Sequence, residues 1–254
     1  MTSLFAATDV SIVTLDFLKA QAGGSLLQTL TLYLFFAGTV AMGAGALYFF
    51  LLRTEVAPEY RSTMVVAGLV CAIACFHYFK MTGVYQSGQG FPTALRYVDW
   101  LFTTPLLLMK FPLLLRMGDR GARFFWQLVV LDVAMIVTAF IAETSPVDSQ
   151  RWWTFFVVSC GFELLIVGVL FVSLGQAITD APAPLARALE TMRLFVLIGW
   201  AIYPIGFLMA RAGAGEYREI VYNVADVINK VGFGLVAYHG IQAMGHGVER
   251  RAIS

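Results

Sequence analysis

Lys230 lies in the middle of a membrane-length apolar stretch, NVADVINKVGFGLVAYHG, one helical turn after Asp226. An ammonium group in hydrocarbon is costly and marks a functional site by default. Four residues of helix place two side chains on one face in adjacent turns, so this carboxylate and this amine can meet. A second carboxylate of the same kind, Asp99, stands in RYVDWLFTTPLLLMK. A lysine with two intramembrane aspartates is the chemistry of a protonated amine, or of an imine made from it, kept charged by counterions.

The segment around Asp99 extends this chemistry along an axis. On a helix, Arg96, Asp99, Thr103, Leu107 and Lys110 step by three or four and share one face. At 1.5 Å per residue, Asp99 and Lys110 stand about 16 Å apart along the axis. Thr103 and an apolar stretch lie between them, and Arg96 sits one turn beyond Asp99 on the other side. A packing network of buried ion pairs is the bland alternative, but such networks rarely gather this many ionisable groups near a membrane midplane. Imine chemistry on a soluble substrate would need an entry route and acid–base partners that the sequence does not offer, so no enzymatic activity is expected.

These residues must be positioned by membrane helices. Of 254 residues, 59% are hydrophobic and 13% charged, and the mean hydropathy is +0.77. A soluble domain carries roughly 25% charged residues, so most of this chain must face lipid. A net charge of +1 gives no sign of a nucleic-acid partner. Cys71, Cys75 and Cys160 all fall in apolar segments without metal-type spacing, and read as small buried hydrophobes. A span needs about 20 mostly apolar residues. Seven stretches qualify, near 26–52, 61–81, 96–116, 124–142, 152–174, 191–211 and 219–243. Turn-forming residues separate them, and no linker or repeat divides the chain, so one domain over 1–254 is expected. In the first 25 residues, Asp9, Asp16 and the absence of a basic start argue against a cleaved signal. Ile12, Leu15 and Leu18 fall on one stripe, as in a short surface helix around Val10–Ala20, with a disordered tail as the alternative.

Basic residues set the expected orientation. With the N-terminus outside, the inner loops and tail hold Arg53, Arg61, Arg116, Arg120, Arg123, Arg187, Arg193, Arg250 and Arg251. Lys19, Lys80, Arg151, Arg211 and Arg218 fall on the outer side. The bias predicts an all-α seven-helix membrane bundle with N-terminus outside and C-terminus cytoplasmic.

RYVDWLFTTPLLL, WAIYP at 200–204 and DVINK at 226–230 resemble the third, sixth and seventh helices of microbial rhodopsins. The resemblance covers all seven spans, and points to the proteorhodopsin-like proton pumps. Within that group it favours the branch with lysine at the cytoplasmic donor position, typified by the Exiguobacterium rhodopsin. PEYRST at 58–63, APAPLARALETMRLFVLIGWAIYPIGF and NKVGFGL carry that last point.

The resemblance implies all-trans-retinal bound covalently to Lys230 as a protonated Schiff base. Asp99 becomes counterion and proton acceptor, Asp226 the second counterion, and Arg96 a gate toward the outer side. Trp100 and Trp200 would sandwich the polyene, with Tyr97, Tyr203, Pro204 and Phe207 closing the pocket and Thr103 part of it. Leu107 holds the position whose leucine accompanies green absorption, and Met135 and Ser159 should lie near the ionone ring. Thr104 and Asp132 match a hydrogen-bonded pair between the third and fourth helices of bacteriorhodopsin. His77, in CFHYF, matches a histidine that bonds the acceptor, although a lone intramembrane histidine is usually a packing residue. Lys110 matches the donor. Out of water a lysine is readily held neutral and able to take up a proton, whereas a snorkelling Lys110 would only anchor its helix. Glu143 is a candidate for the release group, and Glu163 receives no role. Phe156 fills the position where antenna-binding relatives have glycine, so no carotenoid is expected.

The function implied is a light-driven outward proton pump in a prokaryotic cell membrane, multi-pass and assembled as a homo-oligomer, trimer or pentamer. The partners implied are lipid and protons. The main alternative is a photosensory rhodopsin signalling to a transducer, which can keep the acceptor aspartate but usually has an unreactive residue at the donor position.

Overall fold

The structure, a computed structural model, describes residues 25–252, with side chains to Met244. The proposed surface helix around Val10–Ala20 and the side chain of His246 lie outside the described residues.

Ser25 caps the first helix by accepting from the Gln28 amide at 3.1 Å, and α1 (Leu26–Leu52) then runs without a charged side chain. A 3-10 turn opened by Pro58 (Pro58–Tyr60) leads into α2 (Arg61–Gln86). Proline suits that place because the first amides of a helix have no intrahelical partner. Pro92 precedes α3 (Thr93–Leu114), and Arg116 and Gly118, both at positive φ, turn the chain into α4 (Gly118–Glu143). Ser149 caps α5 (Gln150–Ser173) on the Trp152 amide, and a single short turn, α6 (Gly175–Thr179), follows. The sixth span comprises α7 (Ala183–Leu194), a π-helical turn (Phe195–Gly199) and α8 (Trp200–Arg211). The seventh comprises α9 (Gly215–Val227), a second π-helical turn (Ile228–Gly232) and α10 (Phe233–Ala252).

Six of these spans are long and apolar enough to cross a membrane. The third, α3, has the length, but Arg96, Asp99 and Lys110 interrupt its apolar surface. Those residues are buried, so the helix presents Val98 and Phe102 outward and keeps its charges within the protein. Successive spans pack side by side, and the ring closes where α9 meets α1. Contact between the fifth and sixth spans is the sparsest in the ring. Several helices are longer than the apolar runs that announce them. The sixth begins at Ala183 rather than near 191, because its first two turns (APLARALE) are amphipathic. One end of the bundle carries Glu143 and Arg211, and the opposite end carries Leu52 and Ser173.

The two π-helical turns face each other. Pro204 has no N–H to return to the carbonyl a turn behind it, and across the pair of turns the Gly199 carbonyl accepts from Asn229 Nδ2 at 3.0 Å. A methyl group on Gly199 would collide with the Asn229 amide, which is itself buried. Gly199→Ala should therefore destabilise the fold by about 1–3 kcal/mol, the usual range for overpacking. Thermal unfolding in detergent checks this, and Asn229→Ala in the same chain should recover part of the loss. Additive losses would show that the contact is not the cause.

Candidate functional site

Lys230 leaves the second π-helical turn toward α3, and its Nζ lies 2.6 Å from Asp99 Oδ2 and 3.1 Å from Asp226 Oδ2. All three side chains are almost fully buried. The two carboxylates are not equivalent. Asp226 accepts hydrogen bonds from Tyr78 Oη (2.8 Å), Trp100 Nε1 (3.2 Å) and Tyr203 Oη (2.6 Å), with Arg96 Nη1 at 3.5 Å. Asp99 is far less constrained. Its Oδ1 has no hydrogen-bond partner among the described residues, and the nearest base is His77 Nδ1 at 3.4 Å. That histidine nitrogen also lies 2.9 Å from the Ile73 carbonyl. A proton placed on Asp226 would disrupt a set of donors that stabilise its charge, whereas a proton placed on Asp99 Oδ1 displaces none.

Toward the Glu143 end, ion pairs continue without a break. Arg96 Nη2 donates to Glu219 Oε2 at 2.7 Å and to Asn223 Oδ1 at 2.8 Å. Arg218 Nε and Nη2 reach Glu219 Oε1 at 3.0 and 2.9 Å, and Arg218 Nη1 reaches Glu143 Oε1 at 2.7 Å. Arg218, Glu219, Tyr222 and Asn223 were not legible from composition, but Glu219, Asn223, Asp226 and Lys230 step by three or four along one face. The same spacing that exposed the polar face of α3 is the signal that finds them.

Toward the other end, Lys110 is fully buried and its Nζ makes no hydrogen bond or ion pair among the described residues. The ammonium position lies 4.9 Å from the Phe233 ring centroid. Lys110 therefore does not reach the bundle end, which is where a snorkelling lysine would put its charge. Thr103 donates to the Asp99 carbonyl at 2.8 Å, and Leu107 is buried on the same face between Asp99 and Lys110.

A largely apolar pocket extends sideways from this axis between α3, α4, α5 and α8. Tyr97, Trp100, Thr104, Met135, Ser159, Trp200, Tyr203, Pro204 and Phe207 line it, whereas Thr103 and Leu107 lie outside the lining. Trp100 and Tyr203 pack edge to face at 4.8 Å and both donate to Asp226, so the pocket begins beside the Lys230 counterions. Thr104 donates to the Trp100 carbonyl at 2.7 Å and to Asp132 Oδ2 at 2.8 Å, tying α3 to α4. Ser159 donates to the Met135 carbonyl at 2.9 Å and ties α5 to α4. Phe156 stacks on Phe207 at 4.8 Å, and Glu163 joins the wall one turn from Ser159. His239 is exposed, and the three cysteines are free thiols.

The chain is similar to proteins of known kind along most of its length. A family model described as bacteriorhodopsin-like protein matches residues 29–244. The green-light absorbing proteorhodopsin of gamma-proteobacterium EBAC31A08 is 31% identical over 235 residues, covering 90% of this chain and 93% of that protein. The crystal structure of Exiguobacterium sibiricum rhodopsin superposes with a TM-score of 0.78 at 44% identity, covering 84% of this chain and 96% of that one. Xanthorhodopsin, described as a light-driven ion pump with dual chromophore, superposes with a TM-score of 0.80 at 29% identity, covering 87% and 95%. With its seven-span ring and buried lysine–aspartate centre, the chain belongs to the bacteriorhodopsin-like family and is a proteorhodopsin-like microbial rhodopsin.

Proposed function

We propose that this protein is a light-driven outward proton pump, built as a single retinal-binding membrane domain with the Glu143 end outside and the C-terminus cytoplasmic. The observation that carries the reading is the asymmetry around Lys230. Asp99 has an uncommitted oxygen, Asp226 is fixed by donors, and Lys110 waits unpaired on the opposite side. The pocket fits a flat conjugated chain, because two tryptophans, three tyrosines and two phenylalanines line it. Retinal held covalently on Lys230 in the all-trans form supplies light absorption and an isomerisation that re-aims the Lys230 nitrogen.

Everything else is done by the protein's own groups. Asp99 takes the proton from the Lys230 nitrogen, because accepting it breaks no other hydrogen bond. Asp226 stays charged and holds Tyr78, Trp100 and Tyr203 in place. His77, 3.4 Å from Asp99, stabilises its carboxylate between cycles. Arg96 separates the centre from the outer carboxylates, of which Glu143 serves release. Lys110 receives a proton from the cytoplasm and passes it along the Thr103–Leu107 face to Lys230. Xanthorhodopsin's description as a light-driven ion pump supports the transport reading. Phe156, stacked on Phe207, fills its place with a ring and argues against an antenna pigment there.

The sensor alternative keeps Asp99 but gives Lys110 nothing to do. Illuminated cells in unbuffered medium decide between them. Acidification that a protonophore abolishes is expected, and no light-driven pH change would overturn the pump reading. Lys230→Ala should give a folded but colourless protein with no visible band after retinal is added. A band of normal intensity in that variant would overturn the attachment site.

A further inference from the structure

We propose that Arg218 and Glu219 form a second gate, outside Arg96, which seals the Lys230–Asp99 centre from the medium and lets protons pass only by way of Glu143. Four observations lead to this. Each oxygen of Glu219 is taken by a different guanidinium, Oε2 by Arg96 and Oε1 by Arg218, so two fixed cations stand in series on one carboxylate. Arg218 is 4% exposed and Glu219 1% exposed, so neither charge is diluted by water. The Arg218 guanidinium is held between rings, 5.3 Å from the Phe91 centroid and 6.0 Å from that of Tyr222, which fixes it across the passage. Finally, Glu143 and Arg218 together line a cavity at that end of the bundle, and Glu143 is the more exposed of the two.

An arginine in a passage repels protons electrostatically and does not give up its own proton. It therefore cannot relay one. Glu143 is the carboxylate that faces the cavity, so a proton enters there, whereas Glu219, with both oxygens taken by guanidinium groups, pins the two arginines in place. The other charged groups at this end are engaged elsewhere. Tyr85 donates to both oxygens of Glu216 at 2.8 and 2.7 Å, and Arg211 pairs with Asp148 at 2.5 Å. Tyr97 packs on Trp100 and Phe140, and Tyr222 donates to the Tyr203 carbonyl. Arg218 is thus a positioning residue that acts through the two carboxylates it holds.

The gate rests on the reading of Asp99 as counterion, and its test keeps the two apart. Retinal-loaded protein is placed in vesicles with the Glu143 end outward, and the external medium is acidified rapidly in the dark. The readout is the rate at which the colour reddens as Asp99 takes a proton. Solubilised wild-type protein must first redden in acid, and a failure there sinks the counterion reading rather than the gate. In vesicles, Arg218→Gln and Glu219→Gln should respond about tenfold or more faster than wild type, a factor equal to 1.4 kcal/mol of barrier. Arg218→Lys should restore only part of the delay, because an ammonium keeps the positive charge but can give up its proton, and Glu143→Gln should respond more slowly, because the entry carboxylate is lost. Opposite signs for Arg218 and Glu143 are what a merely structural role cannot produce. Wild-type rates in both Arg218→Gln and Glu219→Gln, or a faster response in Glu143→Gln, would overturn the gate. Where Arg218→Gln does not fold, Glu143→Gln decides alone: a slower response supports the gate and an unchanged one overturns it.

Discussion

Asp99→Asn should turn the pigment redder and abolish light-driven proton transport. The colour change follows from where charge sits before and after absorption. With retinal on Lys230 as proposed, positive charge would concentrate at that nitrogen in the ground state and spread along the conjugated chain on excitation. A carboxylate 2.6 Å from that nitrogen stabilises the ground state more than the excited state, and removing its charge narrows the gap. Transport fails because the remaining carboxylate is committed, with Tyr78, Trp100 and Tyr203 donating to Asp226. Asp226→Asn should behave differently. It removes the charge that Arg96, Lys230 and three donors share and puts an N–H₂ group where one oxygen accepted, and breaking a buried ion pair costs about 3–5 kcal/mol. Thermal bleaching should therefore accelerate more in Asp226→Asn than in Asp99→Asn. Absorption spectra, pH traces from illuminated vesicles and bleaching rates check all three statements. Normal outward transport by Asp99→Asn would remove Asp99 from the acceptor role.

Lys230, Asp226, Asp99, Arg96 and Lys110 were legible in the sequence because charges are rare in apolar runs, and each one therefore stands out. Their common faces followed from helical periodicity alone. The Thr104–Asp132 pair and the lining of the pocket were expected from resemblance, and the described side chains bring them together. Other features were not readable. The π-helical turns leave no compositional mark, since INKVG and FVLIG read as plain helix until the Gly199 carbonyl is seen to accept from Asn229. Arg218 counted as a loop charge on the outer side, because a charge near the end of an apolar run looks solvated in sequence. Phe91, distant in the chain, and Tyr222, one helical turn on, both pack against its guanidinium in the fold. Thr103 and Leu107 were legible as sharing a face with Asp99, and both are buried on that face.

Lys110→Ala should leave the dark colour and the light-driven loss of the Lys230 proton nearly intact, and should slow recovery of that proton on the order of a hundredfold. The first part follows from distance. Lys110 stands about 16 Å from Asp99 along α3, too far to perturb the counterion through direct contact. The second follows from the role of a positioned proton donor, which contributes typically 10²–10⁴-fold. Within its apolar site the amine meets the Phe233 face and no carboxylate, so nothing holds its proton against delivery. Without the amine, protons must enter from the cytoplasmic bulk, and recovery should slow further as pH rises. Small diffusible acids such as azide should restore part of the rate. Lys110→Arg should not rescue, because a guanidinium keeps its proton. If Lys110 only anchors its helix, the alanine variant instead loses stability while its recovery stays close to wild type, and the arginine variant behaves as wild type in both. Flash photolysis across a pH series separates the cases, and equal recovery of the Lys230 proton in wild type and Lys110→Ala at every pH would exclude the donor role.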